Sequence, residues 1–263
     1  MVKEFNTNDW ALILGGSRGL GLASAKKLAS EGMSVCIVHR DRKSDLRLIE
    51  QDFDEIRKFG NSFISFNKDL LKENDKIEIL TDLKETIGTA GNIKCLLHSV
   101  AKGNLKPMAD ASNSLTSLDF QLTIDAMAIS LLDWFKSLFD AELFAEDARV
   151  ISFTSEGGRR AMKNYAAVSA AKAGLEAITR NIALEFAPFG VRANCIQAGV
   201  TDTRSLRMIP GSDKIKEQAI MRNPFSRLTT TEDVANAVYL LCKKEAAWIN
   251  GCILPVDGGE HIN

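Results

Sequence analysis

Only two of the 263 residues are tyrosine, and aromatic residues of all kinds make up 7%. Neither sign of charge is in excess: 33 Lys and Arg face 34 Asp and Glu, for a net charge of −1. That balance argues against a chain that lives on nucleic acid or anionic lipid. No run approaches the roughly 18 apolar residues of a membrane-crossing helix, and the leading MVKEFNTND is too polar for a signal peptide. The five cysteines (Cys36, Cys95, Cys195, Cys242, Cys252) form no CxxC and share no metal-like spacing with the three histidines. Most sit in apolar runs, where a reduced thiol behaves as a small hydrophobe. A soluble cytoplasmic protein without a metal site is expected. Also missing are a Pro/Ser/Gly-rich linker and an internal repeat, so residues 1–263 are read as one domain.

What is present is an alternation. Short apolar runs at 10–14, 34–38, 62–66, 93–98, 149–153, 193–197 and 252–256 read as buried strands. Between them lie segments with helical spacing. Val234, Ala237, Val238, Leu241 and Cys242 form one apolar stripe, preceded by Thr229 and Glu232 in a capping-box pattern. Leu175, Ile178, Ile182 and Phe186 form another, ended by Pro188 and Gly190. A long apolar helix is expected over 115–139, with Trp134 and Phe135 in the core or a subunit interface. Strands apolar on both faces and alternating with helices predict an α/β fold: a doubly wound, seven-stranded parallel sheet covered on both sides.

The first strand runs into Gly15-Gly16-Ser17-Arg18-Gly19-Leu20-Gly21 and then a helix. Backbone N–H groups and the positive helix end there suit a phosphate, and absent Cβ atoms let it approach. The spacing is GxxxGxG, not the commoner GxGxxG dinucleotide fingerprint. An NAD site wants an acid near the end of the second strand, accepting from the ribose 2′-hydroxyl. Here His39 and Arg40 hold that place, with Arg18 in the glycine loop nearby. Two guanidinium groups suit a 2′-phosphate, so NADPH is favoured over NADH. Asp41, one position late, counts the other way. Further along, Tyr165 and Lys172 stand seven residues apart in a small-residue segment read as helix, which would place both on nearly one face. A phenol beside an ammonium has its ionised form favoured, which suits it to serve a developing oxyanion.

The glycine loop at 15–21, the Tyr165/Lys172 pair, the stretch EFAPFGVRANCIQAGVTDT (185–203) and the ending Val256-Asp257-Gly258-Gly259 together resemble the short-chain dehydrogenase/reductase family. The resemblance runs across nearly the whole chain. That family commonly has Tyr-x3-Lys, but the residue four before Lys172 is Val168. Tyr-x6-Lys, His98-Ser99-Val100-Ala101 in place of Asn-Asn-Ala-Gly, Asp125 in place of the catalytic Asn, and Ala198-Gly199 in place of Pro-Gly resemble a divergent branch, the bacterial enoyl-acyl-carrier-protein reductases. With the GxxxGxG loop of the common family, the mixture is similar to the NADPH-preferring type typified in Bacillus.

The resemblance implies roles. Lys172 would bind the nicotinamide ribose, and Tyr165 would donate to the substrate carbonyl. Gly15, Ser17, Arg18, Gly19, Leu20 and Gly21 would cradle the pyrophosphate and adenosine, and His39 and Arg40 would meet the 2′-phosphate. Asp69 and Leu70 would lie beside adenine, Ser99, Val100 and Ala101 under the adenosine ribose, and Val200 and Thr203 against the carboxamide. Better-known enoyl reductases have a second tyrosine ten residues before the catalytic one. Ser155 holds that place here, as a substrate contact or simply a loop hydroxyl. His98 reads as a packing residue and Tyr239 as structural. Residues 204–224 stand where the family carries its substrate lid.

The shifted tyrosine has a chemical reason. Hydride delivered to Cβ of an enoyl thioester puts negative charge on the thioester oxygen, two carbons away. Three residues along a helix move a donor by roughly 4.5 Å. The expected activity is reduction of a trans-2-enoyl thioester carried on acyl carrier protein or coenzyme A, in fatty-acid synthesis, by a homotetramer. Two alternatives remain open: a 3-oxoacyl-thioester or other carbonyl reductase, and a non-catalytic NADP(H)-binding regulator.

Overall fold

Strands with no polar face need cover on both sides, and the chain supplies it by alternating each strand with a helix. The computed structural model describes residues 3–110 and 112–263; Met1 and Val2, the first residues of the polar leading stretch, and Ala111 lie outside the described residues. The strands are β1 (Asp9–Leu14), β2 (Ser34–His39), β3 (Phe63–Asn67), β4 (Asn92–His98), β5 (Phe144–Thr154), β6 (Val191–Ala198) and β7 (Ile253–Val256). They form one seven-stranded sheet in the order β3-β2-β1-β4-β5-β6-β7. Every pairing is parallel. The order reverses between β1 and β4, which opens a crevice at their C-terminal ends.

Successive strand residues face opposite sides. On one side Leu12, Leu14, Val38, Leu96 and Val150 pack against α3 (Glu73–Ile87), α5 (Ser130–Asp140) and α6 (Ala166–Glu185). On the other, Ala11, Ile13, Ile37, Leu97 and Ile196 meet α1 (Gly19–Ser30), α2 (Leu46–Arg57) and α9 (Thr231–Cys242). Trp134 and Phe135 lie in the first core. Among the described residues no helix is long and apolar enough to cross a membrane.

Several local expectations need correction. The helix expected over 115–139 is two: α4 (Ser117–Ile124), capped by Thr116 and Asp119, and α5, separated by a π-helical turn over Asp125–Ile129. The apolar pattern runs through that turn unbroken, so the sequence conceals it. The cap of α9 is Thr230 with Asp233, one residue later than Thr229 with Glu232; Asp233 also pairs with Arg227, while Thr229 is buried. Strand β5 starts five residues earlier than its apolar run: Phe144 already pairs with Ile93 of β4, and a register shift follows before Arg149 pairs with Cys95, with the polar Glu146 and Asp147 falling in between. Four cysteines are buried, but Cys252 is exposed just before the short edge strand β7. Residues 204–224, without a clear pattern in sequence, hold α7 (Arg204–Arg207) and α8 (Ser212–Arg222).

One charged element ties the sheet to a helix. Arg149 on β5 is 1% exposed, and its Nε donates to the Leu241 carbonyl at the end of α9 (2.9 Å). Asp147 balances it, together with Arg192 (2.7 Å) and Lys94 (2.8 Å). Partial burial works to raise the Asp147 pKa, but bonds from Arg149 and Lys94 overcome it and hold it at about 2. Asp147→Asn is expected to cost about 2 kcal/mol in urea unfolding at neutral pH, since it leaves a buried guanidinium without its counter-charge. The sign with pH follows. A carboxylate whose pKa is depressed by folding stabilises above its unfolded value of about 3.9, and that contribution disappears as pH falls through about 2. The gap between wild type and variant should therefore close in acid; a gap independent of pH would show that the charge of Asp147 is not what matters.

Candidate active site

The crevice between β1 and β4 is built from backbone. Gly15 follows β1 with φ +87°, and its N–H donates to the Val38 carbonyl (2.8 Å). A Cβ there would sit 2.5 Å from the Ser99 carbonyl, so a glycine is required for the two strand ends to meet. Ser99 N–H in turn donates to the Leu14 carbonyl (2.8 Å). The Thr203 side chain caps α7 and stands by the other end of the loop, 3.5 Å from where a Gly19 Cβ would be. The glycine loop, Ser99 and Thr203 therefore lie together at this crevice. Val200 lies nearby on the chain, and its N–H donates to the buried Glu260 carboxylate (3.1 Å).

At the end of β2 the charges are arranged differently from expectation. Arg18 and Arg40 are not free cations. Arg18 reaches Asp45 (2.9 Å) and Asp41 (3.5 Å); Arg40 reaches Asp69 (2.6 Å). His39 contacts Asp41 through Nδ1 (3.0 Å). Burial pushes the Asp41 pKa up, but the Ser17 hydroxyl, His39 and Arg18 together bring it below the usual range. The sequence placed these groups at one corner without showing that each cation meets an acid there. Arg18 Nε is buried without a hydrogen-bond partner among the described residues. Leu70 also has a role in packing, its carbonyl accepting from Trp134 Nε1 (2.9 Å). It lines a cleft of about 810 Å³ shared with Lys102, Asp125 and Met208.

The second half of the site lies at the end of β5. Lys172, on α6, is buried, and its ammonium donates to the Phe153 carbonyl (2.6 Å). Burial lowers its pKa to about 8, against the opposing pull of Cys195 and Glu176. Tyr165 is not on the helix. It is the residue before α6, with φ −118° and ψ 4°, and follows Asn164 in a left-handed conformation. The two-turn geometry drawn from the spacing therefore does not hold: the change from four residues to seven takes the phenol off the helix and into the preceding turn. Its ring packs over Gly157, where a Cβ would lie 2.5 Å from Cε1. Val168, at the position four before Lys172, is 4% exposed in a small apolar cluster that the Tyr165 ring joins.

The electrostatic expectation also changes. Burial raises the Tyr165 pKa, and the group that opposes this is the Ser155 hydroxyl, not the Lys172 ammonium. Ser155 Oγ stands near the phenol but outside hydrogen-bonding geometry, and is buried without a partner among the described residues. Behind the pair, Glu176 is 5% exposed and accepts from Thr154 Oγ1 (2.7 Å). The sequence reading missed it, although its place one turn after Lys172 was a usable signal. His98 contacts Ser130 Oγ through Nε2 (2.8 Å) and is held neutral: burial, then Lys172, lowers its pKa to about 3. Tyr239 lies away from this group, its ring under the Lys27 ammonium (4.6 Å).

A family model described as Enoyl-(Acyl carrier protein) reductase matches residues 15–261. The chain belongs to that family, within the short-chain dehydrogenases/reductases. Among curated relatives of this dehydrogenase/reductase, 2-(S)-hydroxypropyl-CoM dehydrogenase 3 of Xanthobacter autotrophicus is 27% identical, over 96% of each chain. The 3-oxoacyl-[acyl-carrier-protein] reductase MabA of Mycobacterium tuberculosis is also 27% identical, over 94% of this chain and 91% of its own. Among solved structures, the enoyl-[acyl-carrier-protein] reductase (NADH) of Aquifex aeolicus superposes with a TM-score of 0.82 at 25% identity, covering 97% of both chains. The chain is thus an oxidoreductase of a fold that binds a nicotinamide cofactor. Its own residues fit such a group: a glycine loop at the crevice, a guanidinium at one end whose Nε makes no hydrogen bond among the described residues and stands 3.5 Å from Asp41, and a hydroxyl likewise without a hydrogen bond beside a phenol at the other.

Proposed function

We propose that the protein is an NADPH-dependent enoyl-thioester reductase, working as a homotetramer on substrates held by acyl carrier protein or coenzyme A. The observation that carries the reading is the position of Tyr165. The place four before Lys172 is filled by packed Val168, and the phenol is set one turn back, in the loop beside Ser155.

The bound nicotinamide supplies the hydride. Gly15, Ser17, Gly19, Leu20 and Gly21 hold the pyrophosphate, Asp69, Leu70 and Ser99–Ala101 the adenosine, and Val200 and Thr203 the carboxamide end. Lys172 holds the nicotinamide ribose and keeps positive charge behind the site. The Tyr165 O–H donates to the thioester carbonyl oxygen as negative charge develops there. Because burial raises its pKa, the phenol keeps its proton until that charge appears. Ser155 Oγ, without a partner of its own, is available to the same oxygen. Segment 204–224 closes over the acyl chain and excludes water. Arg18 and Arg40 favour the 2′-phosphate, although each must exchange a carboxylate partner for it.

Purified protein offered crotonyl and acetoacetyl thioesters, each with NADPH and with NADH, tests the proposal. Oxidation of NADPH with the crotonyl substrate is the expected result, at a kcat/KM at least about tenfold above that with NADH, as one charge-assisted phosphate contact allows. Turnover of the acetoacetyl substrate alone would replace the reading with a carbonyl reductase.

A further inference from the structure

The two ends of segment 204–224 are held unequally. At its far end Arg222 meets Glu260 (2.7 Å) and Glu156 (3.3 Å), and the arginine is 24% exposed. At its near end Arg204 has one ionic partner, Asp45 (3.0 Å), and is 63% exposed. The first set ties α8 to the loop after Ser155 and to the C-terminal turn. The second is a single contact from a largely exposed arginine, of a kind that contributes little and exchanges easily. The partner of Arg204 is shared: Arg18 Nη2 approaches the same Asp45 oxygen at 2.9 Å. Two guanidinium groups thus converge on one carboxylate oxygen, one from the glycine loop and one from the start of the segment. Thr203, the neighbour of Arg204, already stands by Gly19.

We infer that Arg204 is a third determinant of cofactor choice: it leaves Asp45 for the 2′-phosphate alongside Arg18, and so draws the near end of segment 204–224 over the adenosine. A phosphate monoester brings more charge than a carboxylate and three acceptor oxygens, enough for two guanidinium groups at once. Asp45 then acts as the placeholder that keeps both arginines in position. Arg222, with more contacts and less exposure, is the fixed end about which the segment moves. The inference rests on the NADPH reading of the site.

The test is direct binding by calorimetry, using adenosine 2′,5′-bisphosphate and 5′-AMP as probes of the adenosine end alone. Wild type should bind the bisphosphate more tightly. Arg204→Gln should weaken the bisphosphate by about tenfold and leave 5′-AMP within twofold. Asp45→Asn, which removes the competing carboxylate, should tighten the bisphosphate. If wild type prefers the bisphosphate but Arg204→Gln leaves that preference unchanged, Arg204 has no part and the NADPH reading stands. Equal weakening of both probes, or weaker bisphosphate binding by Asp45→Asn, overturns the inference too. If wild type binds both probes alike, the NADPH reading falls, and this inference with it.

Discussion

Replacing Tyr165 by Phe is expected to lower kcat by about 10²–10³-fold, the effect of removing one donor from an oxyanion site. The ring should stay where it is, because its packing over Gly157 and in the cluster with Val168 and Met127 does not involve the hydroxyl. Cofactor affinity should therefore remain within twofold and KM should move little, since the donated bond strengthens only as charge develops on the oxygen. Ser155 supplies the natural comparison: Ser155→Ala should cost less, and the double variant should reveal whether the two hydroxyls serve one oxygen. A Tyr165→Phe enzyme with unchanged kcat would remove the phenol from the chemistry. It would also favour the non-catalytic regulator over the reductase.

The second large effect concerns Lys172. Its ammonium is buried, bonded to the Phe153 carbonyl, and titrates at about 8 because burial disfavours charge. In the free enzyme it is charged below that pH and neutral above it. If the charge is used, wild-type kcat/KM should fall as pH rises through about 8. Lys172→Met should lose about 10²-fold or more in kcat/KM and should lose that basic limb as well. Stability should not fall in step, because methionine fills similar space without an ammonium to desolvate. A wild-type profile that is flat through this range, or a variant that keeps the limb, would place the titrating group elsewhere. His98, neutral above about pH 3, cannot supply it.

These effects depend on contacts that the amino-acid sequence displays unevenly. The sheet was legible because its signal is local: each strand is a short run apolar on both faces, and each helix repeats its apolar residues within a turn or two. The glycine loop was legible for a related reason, since a strand, a tight turn and a helix start occupy consecutive residues. The π-helical turn at 125–129 was not, because an inserted residue shifts the apolar face without breaking it. The early start of strand β5 was hidden as well: Phe144 pairs with Ile93, but the polar Glu146 and Asp147 and a register shift separate that pair from the apolar run.

What the sequence by itself determined is therefore the architecture, the family and the positions of Tyr165 and Lys172 along the chain. The tertiary structure decided what those residues are next to. It took Tyr165 off the helix and gave its neighbourhood to Ser155, and it sent the Lys172 ammonium to the Phe153 carbonyl. It also paired Arg18 with Asp45 and brought Arg204, 159 residues further on than Asp45, to the same oxygen. The physical reason is range. Apolar periodicity and turn geometry are set by residues a few positions apart, whereas the partner of a charge is set by which loops the fold brings to one edge of the sheet. Two tyrosines in the chain make the phenol easy to find; only the packing around it shows that Gly157, Val168 and Ser155 are its neighbours.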